Sequence, residues 1–314
     1  MKYPLVTASL FVIGSATCSL ANEVTVEITP TAQPVSGFPE EMKPDVSGVA
    51  IGMTVEDVRN VFSKNPNIND IMSNLPLDTK VGNVAGSGYE TNEQIMEFSA
   101  EEGNFRVQFS PTITSASTSA ANVIIKPPYG AKKERTGEFV SAAFGSGFTG
   151  GHVQIIKSAR VFNEPIDTEA LKSAVIDKYG EPHLIKDSKY NTVFYYAYVD
   201  GSATHDKGVA EFCTSDNFSS KLFMLMPDSG IYRFNSASHF FFNARPFPPS
   251  ERCDAGIAVN MKYGDLKSVV QSVSIDMIDH VAIEQDITEF NRVSGEELEK
   301  LKAGYQGTTE VPKL

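Results

Sequence analysis

The chain has 314 residues and a formal net charge of −12, from 27 basic and 39 acidic side chains. A surface that acidic repels phosphate, which argues against nucleic acid and anionic membrane as partners. With 41% apolar residues, many Phe and Tyr and no Trp, the composition is that of a globular chain able to bury a core.

Met1-Lys2-Tyr3-Pro4 is a short positive start, and Leu5 to Ile13 is apolar but too short to span a bilayer. The small residues Ser19 and Ala21 suit a signal peptidase, so residues 1–21 are expected to be a signal peptide cut after Ala21. No later stretch approaches roughly eighteen apolar residues, so no transmembrane segment is expected in the mature chain. The expected location is periplasmic or secreted. Of the three cysteines, Cys18 leaves with the leader, and Cys213 and Cys253 remain. An even pair in an exported chain is most simply one disulfide, with two buried thiols as the alternative. Neither cysteine has a second Cys or His at ligand spacing, which argues against a shared metal.

Residues 22–46 read as a short strand followed by an arm rich in proline: Val24 to Ile28 alternates, and Pro30, Pro34, Pro39 and Pro44 follow. A first half, residues 47–163, opens with Gly48 and Gly52 bracketing Val49-Ala50-Ile51. Thr54 is placed to cap a helix, and Asp57 three residues on is placed to reach back to the Thr54 N–H. Val55, Val58, Val61 and Phe62 share one helical face. The helix should stop near Lys64, ahead of Asn65-Pro66. A short helix is expected around residues 68–75.

From Gln94 to Phe162 the texture is that of strands: 94–98, 104–109, 122–125 and 152–156, separated by turn residues, as in antiparallel hairpins. Thr112 to Ala121 and Pro127 to Thr136 read as surface loops. In a second half, residues 164–314, a helix is predicted over Thr168 to Tyr179, with Leu171, Ala174, Val175 and Tyr179 on one face. Gly180-Glu181-Pro182 ends it. Strands are predicted over 192–199, 208–213, 221–226, 255–259 and 268–278. Helices are predicted over 281–292 and 296–303, the second capped by Ser294 with Glu297. The order helix, strands, helix, strands, helix gives an α+β fold, with antiparallel sheet and helices packed on one face.

Ile51-Gly52-Met53-Thr54-x-Glu56-x-Val58 resembles the opening of a small exported bacterial module. That module is found in outer-membrane assembly lipoproteins of the SmpA/OmlA type and in β-lactamase-inhibitor-protein-like repeats. The family pattern ends in Gly-x-Pro. Here Asn65-Pro66 stands in that place, while the second helix lacks Gly-Met-Thr but ends in Lys178-Tyr179-Gly180-Glu181-Pro182. The two helices are thus candidates for diverged copies of one helix-plus-sheet unit. The resemblance implies a non-catalytic scaffold that packs helices on one sheet face and offers the other to a protein partner. It carries no catalytic residues over to this chain.

Gly145-Ser146-Gly147-Phe148-Thr149-Gly150 fits the dinucleotide pattern G-x-G-x-x-G, but that site needs a helix after the glycines. Strand-forming residues His152 to Ile156 follow instead, so a hairpin loop is expected and no cofactor. Asp276, Asp279 and His280 are the densest group of metal-ligating residue types. On a helix, Asp276 and His280 would share a face; Val269, Val273, Ile275 and Met277 read as strand and separate them, so no metal site is expected. No H-E-x-x-H, G-x-S-x-G or EF-hand loop is present. The most unusual apolar cluster is Phe240-Phe241-Phe242 with Phe247, read either as a buried strand or as an aromatic interaction surface. The resulting expectation is an exported, non-catalytic protein acting through contact with another exported or envelope protein. A periplasmic hydrolase with an unrecognised site, or a small-ligand carrier using a concave sheet face, are the alternatives.

Overall fold

The structure, a computed structural model, describes residues 23–64, 81–100, 103–124, 134–145, 147–214 and 253–304. The predicted leader, the expected helix at 68–75, the strand at 221–226 and the candidate surface of Phe240, Phe241, Phe242 and Phe247 lie outside the described residues.

The chain builds strand β1 (Glu23–Val26), a small hairpin of β2 (Asp45–Val46) and β3 (Val49–Ala50), and helix α1 (Val55–Lys64). Strands β4 (Val81–Ala100), β5 (Gly103–Ile124), β6 (Glu134–Phe144) and β7 (Val153–Asp167) follow, then helix α2 (Thr168–Tyr179). Strands β8 (Leu184–Asp187), β9 (Asn191–Val199) and β10 (Ser202–Ala203) lead to helix α3 (Lys207–Cys213). Strands β11 (Ala255–Tyr263) and β12 (Val269–Asp279) run into helix α4 (His280–Gly304). The protein is α+β, with a mostly antiparallel sheet.

Among the described residues, ten strands form one sheet that runs through both sequence halves. The path is β5-β6-β7-β12-β11-β9. At one end β4 lies along one edge of β5, while β1 and β6 share the other. At the other end β8 and β10 share the edge of β9 that β11 leaves open. Every pairing in this sheet is antiparallel except that of β1 with β5.

Period-two alternation sends neighbouring residues to opposite faces, and the core is divided accordingly. Ile156, Tyr196 and Met277 join the larger cluster, together with Val58 and Phe62 of α1 and Val175 and Tyr179 of α2. Their neighbours Ile155 and Ile278 pack against Ile283 and Ile287 of α4. Ala197 packs with Ala210 and Cys213 of α3. The sequence reading placed helices on one face; the second face also carries two, because its strand residues there are apolar enough to bury.

Four local readings are corrected. Residues 208–213 form helix, not strand: the Asp206 carboxylate accepts the Val209 N–H at 2.9 Å and caps α3, and burying Ala210 and Cys213 on one side needs helical spacing. Residues 112–121 are part of β5, not a loop; partners on both sides, β4 and β6, hold a stretch with little apolar signal of its own. The two C-terminal helices are one. Ser294 lies inside α4, and its hydroxyl donates to the Phe290 carbonyl at 2.7 Å instead of capping a new start. Ala174, expected on the buried face of α2, is exposed, and Ile176 packs in the core's margin.

Candidate functional site

The Gly-Met-Thr stretch forms a turn that docks on the sheet. Gly52, at φ +82°, donates to the Val153 carbonyl at 2.9 Å, and Val153 donates back to Met53 at 2.8 Å. A left-handed backbone of this kind is open to glycine without steric cost. Thr54 and Asp57 then exchange bonds. Asp57 N–H donates to Thr54 Oγ1 at 3.2 Å, and Thr54 N–H donates to Asp57 Oδ2 at 3.0 Å. This is the reciprocal arrangement of a capping box, with Asp in place of the longer Glu. The Thr54 hydroxyl, and after it the Thr54 N–H, hold the Asp57 carboxyl below its ordinary range.

The glycine run between β6 and β7 is a loop followed by strand. Gly147, Gly150 and Gly151 all have positive φ, and no helix dipole follows to receive a pyrophosphate. The loop is tied inward. Phe148 packs against both Phe109 and Phe290, its carbonyl accepts from Thr31 N–H at 2.7 Å, and the Thr149 hydroxyl donates to buried Asp286 at 2.9 Å. The His152 ring donates from Nδ1 to the Thr149 carbonyl at 2.8 Å.

The arm closes over these two loops. Asp279, at the junction of β12 and α4, accepts the Ser36 hydroxyl at 2.6 Å, the Gly37 N–H at 3.0 Å and the Ala282 N–H at 2.9 Å. One carboxylate therefore caps α4 and clamps the arm. Burial pushes it above its usual range, against the pull of those three donors. The Asp254 carboxylate nearby raises it further. His280 is fully buried; its Nε2–H donates to the Cys213 carbonyl at 2.9 Å, and burial pushes the imidazole down to about 4.

Between the arm, the Gly-Met-Thr turn, the glycine loop and the start of α4 lies a cleft of about 540 Å³. Its walls are mostly apolar: Phe38, Met42, Ile51 and Met53 with Pro34, Pro39 and Pro44. The polar part includes Asp57, His152, Gln154 and Asp279, with Glu40 and Lys43 at exposed positions on the arm. Gln154 donates its amide N–H to the Ala282 carbonyl at 3.2 Å and keeps its amide oxygen buried and unpaired. A second hollow, beside α2 and β8, mixes Ile176, Ile185 and Phe194 with the charged Glu169, Lys172 and Glu181. In it Asp187 accepts from Thr192, Lys267 and Tyr263, which hold its carboxyl far below the usual range.

Cys213 and Cys253 form a disulfide, with Cα atoms 5.8 Å apart, that ties the end of α3 to the start of β11. Asp276 lies on β12 opposite Lys157 of β7, whereas His280 begins α4. Among the described residues no group of three or more His, Cys, Asp or Glu is arranged to hold a metal ion. Among the described residues no helix is long and apolar enough to cross a membrane. Sequence reasoning singled out Thr54 and Asp57 as a cap; it missed that the turn before them is a wall of the cleft, and it missed Asp279 as the clamp of the arm. Only the serine and glycine at 36–37, small and able to donate, hinted at a close approach there. Compared with protein-family models, with curated proteins and with solved structures, the chain matches none.

Proposed function

We propose that this is an exported protein that acts by contact with another exported or envelope protein, with the cleft under the arm as its binding site. The observation that carries this reading is the use made of three of the cleft's ionisable groups. Asp57 caps α1, Asp279 caps α4 and clamps the arm, and His152 closes the glycine loop. All three hold the walls in shape, Glu40 and Lys43 lie exposed on the arm, and the rest of the lining is largely Pro, Met, Phe and Ile. Apolar concavities with a few fixed polar groups are where side chains of a partner or a ligand seat. The disulfide supports an oxidising compartment, and the resemblance of the Gly-Met-Thr turn to exported scaffold modules points the same way. Cross-linking in the native cells, capture of the protein and mass spectrometry test the proposal. A single envelope protein recovered near stoichiometry, and lost with Met53→Asp, supports it. Recovery of the protein alone overturns it.

A second reading rests on Gln154. A buried acceptor without a donor costs about 1–3 kcal/mol, and this one belongs to a residue of the cleft wall. A small, largely apolar ligand carrying an N–H or O–H group would suit such a site. A metabolite panel screened by melting temperature tests this; a carrier should show a ligand-dependent rise that Gln154→Leu reduces.

A further inference from the structure

Among the described residues the sheet ends on β4, a strand of 20 residues. One edge of β4 pairs with β5 from Val81↔Ile124 to Ala100↔Gly103. Among the described residues no strand pairs its other edge. Such an edge carries a row of backbone donors and acceptors that another strand can complete, and proteins blunt it with Lys, Pro, bulges or very short strands. The first nine residues of β4, Val81 to Tyr89, contain no Pro and no charged residue. The stretch of β5 paired with them, Ala116 to Ile124, also has no charge. Both irregularities in the β4–β5 register lie past this segment, at Glu90/Thr91 and Asn92/Gln94.

We infer that the Val81–Tyr89 edge joins a second copy of this chain, antiparallel about a two-fold axis, so that two sheets become one. The inference is independent of the cleft. Charge selects both the occupant and the register. Two copies at a net charge of −12 repel over most of their surfaces, so they approach where charge is missing, and interfaces are depleted in charge at their centres. A parallel pairing would set Glu90, Glu93 and Glu97 on themselves. An antiparallel pairing centred near residue 92 would bring Glu90 and Glu93 close to their mates. An antiparallel pairing centred on Ala85 sets Val81 opposite Tyr89, Gly82 opposite Gly88, Asn83 opposite Ser87 and Val84 opposite Gly86, with no charge opposing another. The contact is isologous and closes on itself, so it ends at the dimer. One strand edge buries less than the roughly 1,000 Å² of a stable interface, so the dimer is a weak one.

Sedimentation velocity of the full chain, from micromolar to near-millimolar, reads the equilibrium. The wild type should pass from monomer to dimer, and higher salt should tighten the dimer by screening the repulsion of the acidic surfaces. Ala85→Glu and Ala85→Lys, each alone, should stay monomeric over the range. Mixed in equal amounts they should dimerise at least about tenfold more tightly than either does alone. Far-UV circular dichroism checks that each variant is folded; Asn83→Glu/Ser87→Glu with Asn83→Lys/Ser87→Lys is the replacement pair if Ala85 does not tolerate charge, because residues 83 and 87 face each other in this register. A wild type that is monomeric throughout overturns the inference and leaves the edge to a strand of another protein. Dimerisation of the single variants like the wild type, or a mixture that gains nothing, overturns it as well.

Discussion

Two regions of this protein hold together in opposite ways. Around Asp279, stretches distant in sequence converge. The arm binds Asp279 through Ser36 and Gly37, and the Asp254 carbonyl accepts from His280 N–H at 2.9 Å and Val281 N–H at 3.2 Å. The Asp254 carboxylate accepts from Gly201 N–H at 3.1 Å, and a disulfide joins Cys213 to Cys253 next door. The β4–β5 hairpin is one stretch folded on itself, and in its outer half the register pairs uncharged residues, with Ala85 to Gly88 opposite Ser117 to Ala120. At the junction side chains carry the structure and each has a particular partner. In the outer half of the hairpin what joins the two strands is the backbone ladder of β4 and β5. The first arrangement fixes a site; the second leaves an edge.

The difference is open to direct measurement, beginning with the disulfide. Replacing both Cys213 and Cys253 with Ala opens a loop with a sequence separation of 40. The chain-entropy model sets the cost at about 4 kcal/mol, to be read as a fall in the urea midpoint.

His280 gives the next largest effect, and it depends on pH. Burial depresses its folded pKa from 6.5 to about 4. The unfolded chain therefore takes up the proton first. The stability this group contributes is present above pH 6.5 and is lost as pH falls toward 4, on the order of 3 kcal/mol. Asp279 acts with the opposite sign. Its carboxyl is raised by burial, so its contribution is full below the unfolded carboxylate range and is lost as pH rises through the folded value. Urea midpoints at neutral and mildly acidic pH, for wild type and His280→Gln, separate the two. The variant should lose the steep acid limb, and an unchanged limb would place the titration elsewhere.

Gly37→Ala would drive a Cβ into the Asp254 carbonyl, a backbone atom that cannot swing away. A cost of about 2 kcal/mol is expected, with faster proteolysis within the arm as it lifts from the cleft. Thr54→Ala, which removes the cap of α1, should cost about 1 kcal/mol in the denaturation midpoint. Ser117→Ala in the hairpin should stay within about 0.5 kcal/mol of wild type. A large loss there would show that side chains matter in the hairpin too and would erase the contrast.

What could be read beforehand follows the same division. α1 and α2 were legible because cap, apolar face and stop lie within a dozen residues of one another: Thr54 with Asp57, then Val58 and Phe62; Val175 and Tyr179, then Gly180 at φ +84°. β9, β11 and β12 were legible from their apolar runs. The outer half of β5 was not, since Thr112 to Ala121 has no apolar period and becomes strand only between β4 and β6. α3 was misread because Lys207 to Cys213 is short enough to suit either period. The cleft was not legible at all: its walls come from residues 34–57, 149–154 and 279–285.

By itself, then, the sequence determined the α+β class, the capped helices, the cysteine pair and the acidic surface. Each of these depends on residue types or on neighbours a few positions apart. The tertiary structure decided that both halves share one sheet, that helices cover both faces, that Asp279 holds the arm, and that β4 lies at the edge. Those outcomes depend on which distant strands pair and which loops meet, and hydrogen bonds between segments more than two hundred residues apart, such as Gly37 to Asp279, leave no periodic trace in the chain.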